Sequence, residues 1–108
     1  MRPSLLLAFT LIAAASGAHA TEAPAPDGAK IYEQACQRCH NGGPGGFFTG
    51  APKLGSKDWK ARVARAPSTE SLHAAVKNGK GKMPPQGGGE FKLSDQDLRA
   101  ATDFMLAR

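Results

Sequence analysis

Apolar residues are spread unevenly along this chain. One block, Leu5-Leu6-Leu7-Ala8-Phe9-Thr10-Leu11-Ile12 and the alanines after it, is continuous and follows Arg2. Beyond it the apolar positions are sparse, and no segment alternates apolar and polar residues as a half-buried strand does. Helix signals recur instead. Asp27 can cap a helix of about Gly28–Ala35. Ser56 can cap a second, about Lys57–Arg65, stopped by Pro67. Ser68 can cap a third, about Thr69–Lys77, closed by Asn78-Gly79. Ser94-Asp95-Gln96-Asp97 resembles a capping box and opens a last helix reaching about Leu106. Leu98, Ala101, Met105 and Phe104 fall on or near one face of it. Between these segments, Asn41–Gly55 carries six glycines and two prolines and reads as an irregular loop. Lys80–Leu93 reads as a second loop, with Pro84-Pro85 and Gly87-Gly88-Gly89. The expectation is an all-α domain of about four short helices joined by two long loops. Such loops are unusual in a small domain unless they wrap something or act.

The N-terminal block sets the domain boundaries. A charged n-region, a short apolar run and Ala18-His19-Ala20 together match a secretory signal peptide at 1–20. The run falls short of the ~20 apolar residues a transmembrane helix needs. With no cysteine near the expected cut, neither a membrane anchor nor a lipid anchor is expected in the mature form. Residues 21–26 read as a flexible leader rich in Ala and Pro, and 27–108 as the folded domain, exported to the periplasm. A domain of this size, with one Trp and one Tyr, is marginal on apolar burial alone and often needs a staple or a cofactor.

Charge narrows the partner class. The formal net charge is +5, but the basic residues are scattered from Lys53 to Lys92 without a compact run. Nucleic-acid binding would need clustered cations with aromatic platforms, so it is not expected. A residual positive face suits an acidic protein partner; a solvated basic surface without a specific role is the plainer alternative.

The chemistry is concentrated in Cys36-Gln37-Arg38-Cys39-His40. In an oxidising compartment two cysteines usually pair, but here they are separated by two residues and followed directly by histidine. This is the C-x-x-C-H pattern of c-type haem attachment. Two thiols add across the two haem vinyl groups, the intervening pair of residues lets a tight turn present both sulfurs, and His40 can ligate the iron. Alternatives are a thioredoxin-like thiol pair, which wants a βαβ context, and a zinc or iron–sulfur site, which wants more ligands than the chain has. A plain disulfide is a further alternative. For the second axial ligand the candidates are Met83, Met105 and His73. Met83 is preferred, because Pro84-Pro85 stiffen the chain beside it. Met105 reads as core, and His73 as a surface or hydrogen-bonded residue. A His/Met pair raises the reduction potential and leaves no open iron position, which favours electron transfer over catalysis.

From Asp27 to Met105 the chain resembles class I cytochromes c, and within them the bacterial cytochrome c5 group. The segments that carry the resemblance are Cys36–His40, Gly50-Ala51-Pro52-Lys53-Leu54-Gly55, Trp59-Lys60-Ala61-Arg62 and Asn78–Pro85. The resemblance implies the small class I fold around one haem c, covalent through Cys36 and Cys39, with His40 and Met83 on the iron. It also implies a Pro52 carbonyl that accepts from His40, and Trp59 and Arg62 near the haem propionates. A close contact of the first and last helices is implied too, with Gly28 and Tyr32 facing Ala101 and Phe104. The second cysteine pair of some c5 members is absent here. The expected function is a soluble, non-enzymatic one-electron carrier between redox proteins, working by outer-sphere transfer at the haem edge. Alternatives are a haem subunit of a larger oxidoreductase, an open-site haem enzyme or sensor, and a haem-free thiol oxidoreductase. Lys53, Lys57, Lys80 and Lys82 flank the two loops and are candidates for steering acidic partners. For Phe47 and Phe48, shielding of the cofactor is the favoured reading over a docking patch.

Overall fold

The computed structural model describes Gly17, residues 24–89 and residues 92–108. Apart from Gly17, the expected signal peptide lies outside the described residues, as does the start of the leader. Among the described residues five helical stretches and two short loops enclose one cavity, and no helix is long and apolar enough to cross a membrane.

The first helical stretch has three contiguous parts. Asp27 accepts from the Lys30 amide at 3.2 Å and starts α1, Gly28–Ile31. A π-helical turn follows over Tyr32–Cys36, in which the Gln37 amide donates to the Tyr32 carbonyl five residues back. It runs directly into α2, Gln37–His40. The sequence suggested a helix ending near Ala35 and a turn over the cysteine motif. Instead the motif is itself helical, and the single wide turn takes up one extra residue just ahead of it.

A second departure concerns Asn41–Gly55, expected to be irregular. It contains α3, Pro44–Thr49. Pro44 suits a first helical position because its missing N–H would have no partner there. Gly50 ends the helix in the left-handed region, φ 72°, which favours glycine. The other glycines serve packing: a Cβ on Gly45 would strike the Arg38 carbonyl, and one on Gly46 would strike the Cys39 carbonyl. Glycine density here marks a helix laid close on α2.

The remaining helices follow their caps. Ser56 accepts from the Trp59 amide and begins α4, Lys57–Arg65. Ser68 and Ser71 form a reciprocal capping box at the start of α5, Thr69–Asn78, which ends at Gly79, φ 83°. Ser94 and Asp97 do the same for α6, Asp95–Leu106, at 3.1 and 3.0 Å. The loop between α5 and α6 holds a pair of hydrogen bonds between Lys80 and Met83, then a 3₁₀ turn over Pro85–Gly88.

The core lies where α6 crosses α1 and packs on α5. Ile31, Ala35, Leu98, Ala101 and Met105 are buried there. Gly28 is the point of closest approach: a Cβ would overlap the Ala100 carbonyl and lie 3.1 Å from the Phe104 Cβ. Tyr32 packs on Phe104 with ring centroids 5.5 Å apart. The contact between first and last helices is thus present, met on the α6 side by the Ala100 backbone and Phe104.

Outside the core, α5 and α6 are tied by polar contacts. Both Arg99 terminal nitrogens donate to Glu70, each at 2.8 Å. Arg99 also donates to His73 Nδ1 at 3.1 Å, so Nε2 carries the ring proton and donates to Asp103 Oδ1 at 2.8 Å. Lys77 pairs with Asp95 at 3.0 Å.

Two predictions follow from these contacts. Gly28→Ala forces α1 and α6 apart and should cost about 1–3 kcal/mol. It should lower the urea midpoint at unchanged m-value; a variant as stable as wild type would remove close approach as the reason for glycine. The second concerns acid. The Arg99 hydrogen bond holds the Glu70 carboxyl at about 2, below its ordinary 4.5. The contact therefore contributes stability above the ordinary value, and that contribution is lost as pH falls through about 2. The urea midpoint of wild type should drop between pH 5 and pH 2, with a shallower drop in Glu70→Gln. Because the pair is exposed, added salt should shrink the difference. Parallel curves would show that the contact adds nothing.

Candidate cofactor site

The cavity enclosed by these elements has a volume of about 740 Å³, within the range of cofactor and ligand sites. Cys36, Cys39 and His40 contribute from the helical motif, Pro52 from the loop after α3, Trp59 and Arg62 from α4, and Met83 from the loop after α5. The structure thus brings together all seven residues singled out from the sequence. His73, the alternative second ligand, is held instead in the α5–α6 network.

His40 is held in one orientation. Its side chain is only 8% exposed, and Nδ1 lies 2.8 Å from the Pro52 carbonyl. A carbonyl can only accept, so Nδ1 donates, and in the neutral ring Nε2 is the nitrogen with the lone pair. The Leu54 amide donates to the His40 carbonyl at 2.8 Å, fixing the backbone as well. Trp59 sets its ring edge-on to the imidazole, centroids 5.7 Å apart. An imidazole held through its far nitrogen in this way has the orientation that metal-binding histidines commonly take.

Met83 is placed by backbone rather than by a helix. The Lys80 amide donates to the Met83 carbonyl at 2.9 Å, and the Met83 amide returns a bond to the Lys80 carbonyl at 3.0 Å. Pro84 and Pro85 restrict the chain directly after it. Met105 also lines the cavity but is buried in the α6 core, in keeping with its reading as a core residue.

Cys36 and Cys39 are not bonded to each other. Burial, with a smaller effect of neighbouring Cys39, pushes the Cys36 thiol up to about 11. A thiol oxidoreductase needs a lowered pKa to form thiolate at neutral pH; Cys36 is shifted the other way, and no strand pairs with the motif among the described residues.

Much of the remaining wall is apolar, and these apolar residues of α4, α5 and α6 were not singled out from the sequence. It includes Val63 from α4, Leu72 and Val76 from α5, and Leu106 from α6. Trp59, Val63 and Ala66 lie four and three residues apart, and Leu72 and Val76 four apart, so helical spacing carried the signal. Neither α4 nor α5 has a buried residue. Their apolar faces meet the cavity where a folded helix would ordinarily meet protein.

Charge at the wall has one sign. Arg62, Arg65, Lys80 and Lys82 line it, and no Asp or Glu does among the described residues. Arg62 is partly neutralised by Asp58 at 3.1 Å. A flat apolar group bearing carboxylates suits this wall, and two cysteines, an oriented imidazole and a thioether are the donor set of a covalently bound haem.

Comparison with known proteins agrees. A family model described as Cytochrome C oxidase, cbb3-type, subunit III matches residues 23–105. The chain is 33% identical to a cytochrome c6 of Microcystis aeruginosa over 76% of its length and 94% of the relative's. It is 31% identical to a cytochrome c6 of Pyropia tenera, over 76% of its length and 89% of the relative's. Its fold superposes with a TM-score of 0.61 and 40% identity on a chain from a crystal structure of an electron transfer complex of nitrite reductase with cytochrome c. That match covers 76% of this chain and 93% of the other. These relatives support class I in general and not the c5 group in particular. The chain belongs to the class I c-type cytochromes, electron carriers whose haem is held covalently by paired cysteines.

Proposed function

We propose that this chain is an exported monohaem cytochrome c that works as a free one-electron carrier in the periplasm. In this reading Cys36 and Cys39 hold the haem as thioethers, and His40 and Met83 are its axial ligands. The observation that carries the reading is the convergence of those four residues on one apolar cavity, with His40 already oriented through Pro52. When bound, the haem iron supplies reversible ferrous–ferric exchange. The chain's own residues do the rest. Pro52 keeps the imidazole protonated at Nδ1, which raises the basicity of Nε2. The Lys80–Met83 pairing and the two prolines hold a weak thioether donor in place. Trp59 packs on His40, and Arg62 sits at the cavity rim to meet propionate charge. His40 and Met83 would both hold the iron and would leave no position for a substrate, which suits one-electron transfer rather than catalysis. The N-terminal segment 1–20 acts as the export signal and is removed.

The family model's description favours a second reading, a haem subunit dedicated to one oxidoreductase complex. The span of the relatives favours the free carrier, since the match covers nearly all of the cytochrome c6 of Microcystis aeruginosa. Purification of the native chain alone, or with a larger partner, separates the two.

Met83→Ala tests the ligation. Wild-type protein exported with the haem maturation machinery should be low-spin and show the methionine–ferric iron band. The variant should lose that band, become high-spin, bind carbon monoxide without denaturant and have a lower potential. A wild-type spectrum without the band would overturn the axial assignment, and a colourless protein would overturn the cofactor. Partner steering has its own test. If Lys53, Lys57, Lys80 and Lys82 steer acidic redox partners, the association rate should fall steeply with ionic strength, and Lys53→Glu should flatten that dependence. A rate indifferent to salt rejects steering.

A further inference from the structure

We propose that Phe47 and Phe48 form the apolar centre of a docking face for an acidic redox protein, one that offers an apolar recess ringed by carboxylates. This deepens the carrier reading and rests on it. The two residues are 83% and 78% exposed, against the sequence-based expectation that they shield the cofactor. Neither lines the cavity, so a group that fills it leaves them in solvent. The rings pack edge-to-face, centroids 5.4 Å apart, and present one aromatic knob. Scattered exposed apolar residues need no explanation, but a paired aromatic projection has the form of an interface anchor.

The knob has a stiff base. Gly45 and Gly46, just before it, lie against the Arg38 and Cys39 carbonyls. Thr49 and Gly50, just after it, line the cavity. A partner seated on the two rings is therefore held beside the cysteine motif, where the exchanged electron would be.

Charge selects the occupant. From Gln34 to Lys57 the chain has no Asp or Glu and carries Arg38, Lys53 and Lys57. The Arg38 side chain lies beside Gly45, the Lys53 side chain lies beside Gly42, and both cations are exposed. An apolar centre with a cationic rim complements a recess with an acidic rim. A second copy of this chain would bring the same cations and be repelled. A membrane surface calls for an extended amphipathic helix, whereas α3 has six residues and offers two rings.

The test uses the haem-loaded protein, the Phe47→Ser/Phe48→Ser variant and Lys53→Glu. The surfaces are gold carrying an all-carboxylate alkanethiol monolayer or a mixed carboxylate and methyl monolayer. On the mixed surface wild type should half-saturate at a roughly tenfold lower concentration than the double variant, the size of a modest anchor loss. On the all-carboxylate surface the two should coincide, and Lys53→Glu should bind more weakly to both. Equal adsorption of wild type and double variant on the mixed surface overturns the proposal. So does binding of wild type to anionic phospholipid vesicles that is at least as tight and equally dependent on the two rings, which would make a membrane the occupant. The voltammetric wave of the adsorbed protein reports separately. Phenylalanine-dependent adsorption without a wave would defeat the carrier reading and leave the docking face standing.

Discussion

The apolar residues of α4 and α5 face a cavity and none of them is buried in the protein core, and the rest of the structure is arranged around that fact. In an ordinary small helical domain, Trp59, Val63, Leu72 and Val76 would meet side chains from a facing helix. Here they meet a cavity of about 740 Å³. Among the described residues the buried apolar core is confined to the first helical stretch and α6 where they cross. So few buried residues give limited apolar stabilisation, and a tightly held group that binds only the folded chain adds to it by mass action. A covalent link removes the concentration dependence of that gain. In the proposed reading the cysteine motif would serve folding as well as cofactor attachment.

Placing the motif requires local departures from regular helix. The wide turn over Tyr32–Cys36 comes just before the motif, and α3 packs directly after it. With Gly45 and Gly46 against the Arg38 and Cys39 carbonyls, α2 is clamped between the π-helical turn and α3. His40 then sits at the end of a short rigid segment, and the single hydrogen bond to Pro52 is enough to set its ring. Met83 is held by different means, a backbone pair and two prolines. The two proposed ligands thus arrive from elements with independent supports.

Much of this was legible in the chain. The caps at Asp27, Ser56, Ser68 and Ser94 are local chemistry, and each starts a helix where it stands. The seven site residues come together because their signals are short motifs with fixed spacing. What was not legible is instructive. Six glycines between Asn41 and Gly55 looked like loop because glycine has poor helix propensity. A missing side chain is also what lets two backbones touch, and only tertiary structure shows which use applies. The wide turn left no compositional mark. The lining of α4 and α5 had a helical spacing, yet periodicity cannot tell a face that meets protein from one that meets a cofactor. Phe47 and Phe48 were misread because apolar residues are assigned inward by default.

The cations divide into two sets, and the division follows from geometry. Arg62, Arg65, Lys80 and Lys82 line the cavity, where any bound carboxylates would neutralise part of their charge. Arg38 and Lys53 stand outside it, Arg38 beside Gly45 of α3 and Lys53 beside Gly42 just before that helix. Carboxylates bound in the cavity would therefore act first on the cations that line it, and less on those outside it. A chain with scattered basic residues and no compact run becomes, once loaded, a molecule with a directional charge. The direction coincides with the exposed rings because the same short stretch, Gln34 to Lys57, holds the cysteine motif, the aromatic pair and no carboxylate. Cofactor attachment and partner approach are then set by neighbouring residues on one segment, which fixes their separation regardless of how the other helices move.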